Sequence, residues 1–414
     1  MREDIKERIA MIQRGEVPEG YKKTKLGIMP DSWSVECVKH VVRIENELRT
    51  PISREERVKI QGEFPYYGPT QVQDYINNYS VEGQAVLIGE DGDHFLKYKD
   101  REMTLLVDGK YSVNNHAHII RGTKKCSAEW FYYVFMYKNI LSMITRQGAA
   151  RYKLTKEALE TIKFQIPGVN EQNKVIKILE QYNKRINVQK VIIEEKRKLK
   201  KSLEQKLLNP INFIAGFSKD WKKVKLGEIL TERNEYAQKK QGYEHASLTK
   251  DGIYTKTERY NRDFLVKDDE KKYKVTHLND ICYNPANLKF GVICKNNLGD
   301  AIFSPIYITY EVKDSVDIEF ITQYLCRWDF INAVRKYEEG TVYERMAVSS
   351  EDFLKFEITI PDIEEQKAIA KILTTADKEI KLLKQQLELF KQEKKAMMQL
   401  LLTGIVRVNE LKEV

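Results

Sequence analysis

Side chains able to do covalent chemistry are present in this chain but never at catalytic spacings. His116-Ala117-His118 would put two imidazoles on one face of a strand, the beginning of a metal site. No third ligand lies nearby, and a packed or hydrogen-bonded pair is the simpler reading. Asn284-Pro285-Ala286-Asn287 has the Asn-Pro start of a loop that grips a target amine for methylation. It lacks the second proline and the stacking aromatic, and no glycine-rich cofactor turn precedes it, so it reads as a plain loop. Pro361-Asp362 with Glu365 and Lys367 mimics the two acids and lysine of a nuclease, but all four crowd into the start of one helix, where a helix start explains them better. There is no Gly-x-x-x-x-Gly-Lys-Ser/Thr phosphate loop. The five cysteines show no Cys-x-x-Cys and fit buried, reduced thiols. No catalytic residue, metal or cofactor is expected.

What remains is the chemistry of recognition. The formal net charge of +9 suits a polyanionic partner. Lys97, Lys99, Arg101, Arg146, Arg151 and Lys153 could meet phosphates in the first half of the chain, and Arg259, Arg262, Lys289, Arg335 and Arg345 in the second. Asn114, Asn115, Gln147, Asn284 and Asn287 carry the amide groups that pair with adenine edges. Any one of these is ordinarily just a solvated surface residue. The run Lys196, Arg197, Lys198, Lys200 and Lys201 reads as a solvated or protein-docking helix face.

At 414 residues the chain calls for two domains plus connectors. The longest apolar run, 130–137, is far too short to span a bilayer, and the start of the chain has no signal-peptide core. A cytoplasmic protein is expected.

The elements that must position these groups are two long helices. Residues 361–402 begin with Pro361 and the N-cap candidate Asp362, and carry Glu364 and Glu365 in the first turn. Apolar residues then recur at spacings of three and four: Ile369, Leu373, Ala376, Ile380, Leu383, Leu387, Phe390, Met397 and Leu401, broken only by Lys394. Such a heptad seam needs a partner helix. Shifting back by 194 residues aligns 167–208 with 361–402 without a gap, and 15 of the 42 positions are identical. In the earlier helix the seam runs Val175, Leu179, Tyr182, Ile186, Gln189, Ile193, Lys196, Lys200, Leu203 and Leu207, polar at three central positions. Either the register shifts onto Ile192 and Leu199, or the middle is loosely packed.

Each long helix is preceded by a mixed region. Residues 4–13 have helical spacing at Ile5, Ile9 and Ile12. Strand-like pieces follow at 84–88, 104–107 and 116–120, and an aromatic-rich helical stretch at 127–144. The second region echoes this plan, with its aromatic helix at 316–337, and the exits 154–167 and 348–361 again match 194 apart. Between entry and exit almost no residue-level similarity remains. The expected division is an N-terminal helix (1–20), a first recognition domain (21–166), a spacer helix (167–209), a second recognition domain (210–360), a second spacer helix (361–404) and a tail (405–414). The fold class is α+β: two mixed domains alternating with two long helices that pair as an antiparallel coiled coil, pseudo-two-fold symmetric.

Two divergent inserts, each followed by a helix starting Pro-x-x-x-Glu-Gln and ending Leu-Leu, resemble the specificity subunit of type I restriction–modification systems. The closing Lys394-Lys395 to Gly404, followed by Val406-Arg407-Val408, and the entry Gly20-Tyr21-Lys22, Gly27-Ile28-Met29-Pro30 and Trp33, are similar to that family's. The resemblance covers the whole chain. It implies a non-catalytic subunit in which each insert reads one half of a bipartite site in double-stranded DNA. It further implies that the helix pair spaces the halves and docks two methyltransferase subunits and, through them, restriction subunits. Residues 1–20 and 405–414 would then lie close together. Two other classes remain: an enzyme with its own methylating or cleaving site, which the missing motifs disfavour, and a coiled-coil scaffold that binds only proteins and lacks salt-sensitive DNA binding.

Overall fold

The computed structural model of the protein describes residues 3–147, 151–211, 217, 220–238, 242–250, 252–255, 272–338 and 347–410. The chain divides into two compact units, Met1–Val188 with Leu387–Val414, and Gln189–Gln386. Each unit therefore holds one globular domain and half of each long helix, Val169–Leu207 and Ile363–Leu402.

In the first unit the domain opens and closes on one antiparallel pair, Ser34–Cys37 with Lys163–Ile166. Inside it are two four-stranded sheets. One runs Arg43–Ile44, Ala117–Arg121, Ala85–Gly89, Thr104–Val107. All five residues of Ala85–Gly89 are buried, so the strand reads as a continuous apolar run rather than an alternation. The other runs Val72–Ile76, Gln61–Tyr67, Lys110–Val113, Val81–Glu82, with Lys110–Val113 parallel to Gln61–Tyr67. The aromatic stretch forms a shorter helix than its composition suggests, Ala128–Met136, followed by a 3-10 turn at Leu141–Met143. Trp130, Phe131, Phe135 and Met136 are fully enclosed, and Phe131 and Phe135 both meet Phe164 edge-on. Burying such rings contributes on the order of 2–3 kcal/mol each, which is why this helix anchors the core.

The second unit repeats that topology from unrelated residues. Lys222–Lys225 pairs with Glu357–Ile360. One sheet runs Leu230–Glu232, Ile308–Val312, Ile281–Tyr283, Ile293–Lys295, in the same order and sense. The other runs Gly252–Thr255, Glu244–Thr249, Ala301–Phe303, Lys272–Thr276 and one further strand, Tyr236–Gln238, and again has its parallel pair, here between Glu244–Thr249 and Ala301–Phe303. The stretch 316–337, expected as one helix, is two, Ile318–Leu325 and Trp328–Val334, with a 3-10 turn after them.

Within each unit the two long helices run antiparallel. Val175, Leu179, Ile186, Ile193, Ile369, Leu373, Ile380, Phe390 and Leu401 are buried, and Leu203, Leu207, Leu383, Leu387 and Met397 are half-buried. Neither alternative for the polar middle holds. Ile192 and Leu199 remain 38% and 53% exposed, so the register does not shift onto them. Gln189, only 6% exposed, donates to Leu383 O (3.0 Å) and to Gln386 Oε1 (3.1 Å). Lys196 meets Glu379 at 2.6 Å, and Lys200 meets Asp377 at 2.8 Å. Burial alone would lower the pKa of Lys200, but its bond to Asp377 and the charge of Glu204 outweigh burial and leave it raised. The polar seam positions are thus individually partnered rather than loose. Lys394, the break in the second seam, lies buried 3.6 Å from Glu102.

The recurring Glu-Gln at each helix start has a structural task. Gln172, fully buried, accepts from Ser127 N (3.1 Å) and donates to Lys125 O (2.8 Å) and Pro167 O (3.0 Å). Gln366 accepts from Asp317 N (2.9 Å) and donates to Pro361 O (2.8 Å). Ser127 and Asp317 are the N-caps of the two aromatic helices, so each glutamine ties a long helix to its domain's core helix. In the first unit Glu171 accepts from Trp33 Nε1 (3.0 Å) and from Arg407 (2.7 and 3.0 Å). The two ends of the chain meet there. Tyr21 donates to Gly404 O at 2.9 Å and Arg8 to Ile405 O at 3.1 Å. Gly404 has φ +72°, and a Cβ on it would come within 2.5 Å of Pro30, so only glycine fits.

Candidate nucleic-acid interface

In the first domain the recognition candidates converge where four connections meet. The hairpin Thr145–Gln147/Arg151–Lys153 lies against the connection after Ala85–Gly89, with Gly92 N bonded to Tyr152 O (3.0 Å) and Leu154 N to Glu90 O (2.8 Å). The turn at 114–116 joins them, since Glu90 N bonds His116 O at 2.8 Å. The turn at 68–71 completes the group through Arg101, which donates to Thr70 Oγ1 at 3.2 Å.

Glu90 is the hub. Its carboxylate receives Arg49 at 2.6 Å and Lys153 at 3.2 Å. Burial would raise its pKa, but Arg49, His118 and Lys153 outweigh that and hold it low, so it stays ionised and fixes both cations. Arg49 also donates to Asn115 O at 3.1 Å. Arg49 had no signal in the sequence, because its position depends on a partner 41 residues away.

The individual candidates part company here. Asn114 is 5% exposed and spends its amide internally, donating to Gln73 Oε1 and accepting from His116 N, so it shapes the turn and cannot read a base. Asn284 is likewise buried, capping the 3-10 helix Pro285–Phe290 by accepting from Ala286 N at 3.2 Å. Lys97 pairs with Asp93 on the surface, Lys99 is exposed with its carbonyl held by Lys395, and Arg335 forms a two-point pair with Glu338. Asn115, Arg146 and Lys289 are exposed, and Asn287 is partly buried. Gln147 and Arg151 lie on the hairpin, their side chains outside the description, and Arg259, Arg262 and Arg345 fall outside the described residues.

The second domain places Asn287 and Lys289 on the connection between Ile281–Tyr283 and Ile293–Lys295. That is the topological counterpart of the connection carrying Lys97, Lys99 and Arg101 between Ala85–Gly89 and Thr104–Val107. Candidates picked from dissimilar sequences thus share one place in one fold.

Both imidazoles are hydrogen-bonded. His118 is buried, with Asn46 Nδ2 2.9 Å from Nδ1 and Leu154 O 2.8 Å from Nε2, and burial lowers its pKa. His116 faces Asp91 at 3.0 Å. Among the described residues no group of three His, Cys, Asp or Glu could hold a metal ion, and no helix is long and apolar enough to cross a membrane.

One fold presented twice, loops of dissimilar sequence on a shared plan, and a partnered antiparallel helix pair define a modular recognition protein. The chain belongs to the type I restriction modification DNA specificity domain family, whose model matches residues 30–196 and again 218–392. A specificity subunit of the type I restriction enzyme MjaVIII from Methanocaldococcus jannaschii is 23% identical, over 95% of this chain and 97% of its own. A Haemophilus influenzae protein named as a type I restriction enzyme specificity subunit is 34% identical over 140 residues, and that match spans about a third of each chain. The S subunit of a type I restriction–modification system from M. genitalium has the same fold, with a TM-score of 0.55 at 13% identity, covering 89% of this chain and 96% of that one.

Proposed function

We propose that the chain is the DNA-specificity subunit of a type I restriction–modification complex, in which each globular domain reads one half of a bipartite duplex site. The observation that carries this reading is the duplicated domain with dissimilar loops on equivalent connections. A repeated scaffold with divergent loops suits two different half-sites. A helix of 40 residues is roughly 60 Å long, enough to separate two readers by more than one DNA turn of roughly 34 Å. The chain supplies recognition, and the chemistry belongs to methyltransferase subunits, two by the duplication, and to restriction subunits bound through them. The helix pair, with its outward basic residues, is the docking element.

The test is co-expression with a cognate methyltransferase subunit, followed by mapping methylated adenines in host DNA. A split motif, two short defined halves around a fixed gap, is expected. A continuous motif, or none despite a stable complex, points to a protein-binding scaffold instead. Exchanging residues 34–150 for another such domain should change one half of the motif and leave the other intact.

A further inference from the structure

Arg49 lies at the hub of the first domain's interface with most of its hydrogen bonds already spent. Nε donates to Asn46 O at 3.1 Å, and Nη1 donates to Glu90 at 2.6 Å and to Asn115 O at 3.1 Å. A guanidinium is always charged and carries five hydrogens, so the two on Nη2 remain. Among the described residues nothing bonds them, and Nη2 is not one of the buried unpaired atoms, so it is open to solvent. Lys153 reaches the same carboxylate from the adjoining hairpin, at Oε1 rather than Oε2 and at 3.2 Å. The two side chains are 21% and 31% exposed. Two cations thus flank one anion. The Asp91 carboxylate, on the residue bridged to Lys153, is itself bonded to His116 at 3.0 Å.

An arginine meets DNA in two ways. Pairing with guanine takes two nitrogens side by side, each with a hydrogen to spare for O6 or N7. With Nε and Nη1 both occupied, Arg49 has one nitrogen left, and the two diverging hydrogens of a single nitrogen do not make that fork. A phosphate oxygen asks only for one charge-assisted donor, and a lysine ammonium meets it as a point charge.

We infer that Arg49 and Lys153 form a seat for one backbone phosphate of the half-site taken by the first domain, fixing the domain's register on the duplex without reading a base. This rests on the DNA-specificity reading above and adds a named contact class to it.

Arg49→Gln and Lys153→Gln test it. The full chain, wild type and each variant, is co-expressed with the methyltransferase subunit and the methylation motifs are mapped. Binding is then measured on duplexes carrying one neutral methylphosphonate linkage at a time across the half-site, and on duplexes substituted at each base pair. In the wild type one linkage should weaken binding about 10- to 100-fold, the worth of a charge-assisted hydrogen bond. Each variant should cut the sensitivity at that same linkage, keep the motif, and make the salt dependence shallower by about 1 in log–log slope. A variant that relaxes discrimination at one base pair shows base reading, and the inference fails. It fails equally if both variants bind as the wild type does, or if they lose affinity yet keep the wild type's full sensitivity at every linkage, which marks a structural role. Should Arg49→Gln fail to fold, Lys153→Gln is scored alone on the same panel by the same criteria. A wild-type map without a split motif sinks the specificity reading itself, and the inference with it.

Discussion

Replacing Gln172 by leucine strips three partners of their bonds at once. Ser127 N loses its acceptor, and Lys125 O and Pro167 O lose a donor, in a site where the glutamine is fully buried. Each buried polar group left unpaired costs about 1–3 kcal/mol. Partial rearrangement and the apolar gain of leucine reduce the sum to roughly 3–5 kcal/mol. At Gln366 only two partners are stripped, Asp317 N and Pro361 O, so Gln366→Leu should cost roughly 2–3 kcal/mol. Units of this size lose roughly 2–4 °C in Tm per kcal/mol, so each variant shifts one unit measurably. Hydrogen exchange read by mass spectrometry localises the effect. Gln172→Leu should accelerate exchange in Ala128–Met136 and spare Ile318–Leu325, and Gln366→Leu should do the reverse. Equal small effects below about 1 kcal/mol, or loss of protection in both helices from either variant, would refute the clamp reasoning.

Arg407→Ala removes a two-point contact to Glu171, and the expected cost is about 1–3 kcal/mol in thermal unfolding of the first unit. Gln189→Leu should change stability by less than about 1 kcal/mol in urea unfolding, because both partners lie on an exposed or helical backbone edge and need no replacement bond. Burial pushes His94 down to about 4, so the folded state stays unprotonated while the unfolded chain takes up a proton near 6.5. Stability is therefore full above 6.5 and falls by roughly 3 kcal/mol as the pH drops to about 4, a limb that His94→Phe should flatten in pH-dependent denaturation. His277 behaves oppositely: Asp300 and Glu235 raise its pKa, so its contribution is full below 6.5 and fades as the pH rises through the folded value, which His277→Gln should abolish.

The long helices were legible because their signals are local. Heptad spacing, Pro361 and Asp362 at the start and the 194-residue repeat are all properties of neighbouring residues, and Asp362 does cap its helix, accepting from Glu364 N and Glu365 N at 3.0 Å. The meeting of residues 1–20 with 405–414, seen in Arg8 donating to Ile405 O, was an expectation from the family resemblance rather than from any local signal. The sequence alone could not show that two dissimilar inserts share one sheet order, because strand pairing is fixed by which faces are buried, and many residue sets bury the same face. It also left open what fills the polar seam, which the tertiary structure settles through Glu379, Asp377 and Gln386 on the opposing helix. The amides show the limit most clearly. Asn114 and Asn115 are adjacent and chemically identical, yet one is consumed by Gln73 and the other faces solvent. That difference rests on a hydrogen-bond partner 41 residues away, and only the folded chain brings it there.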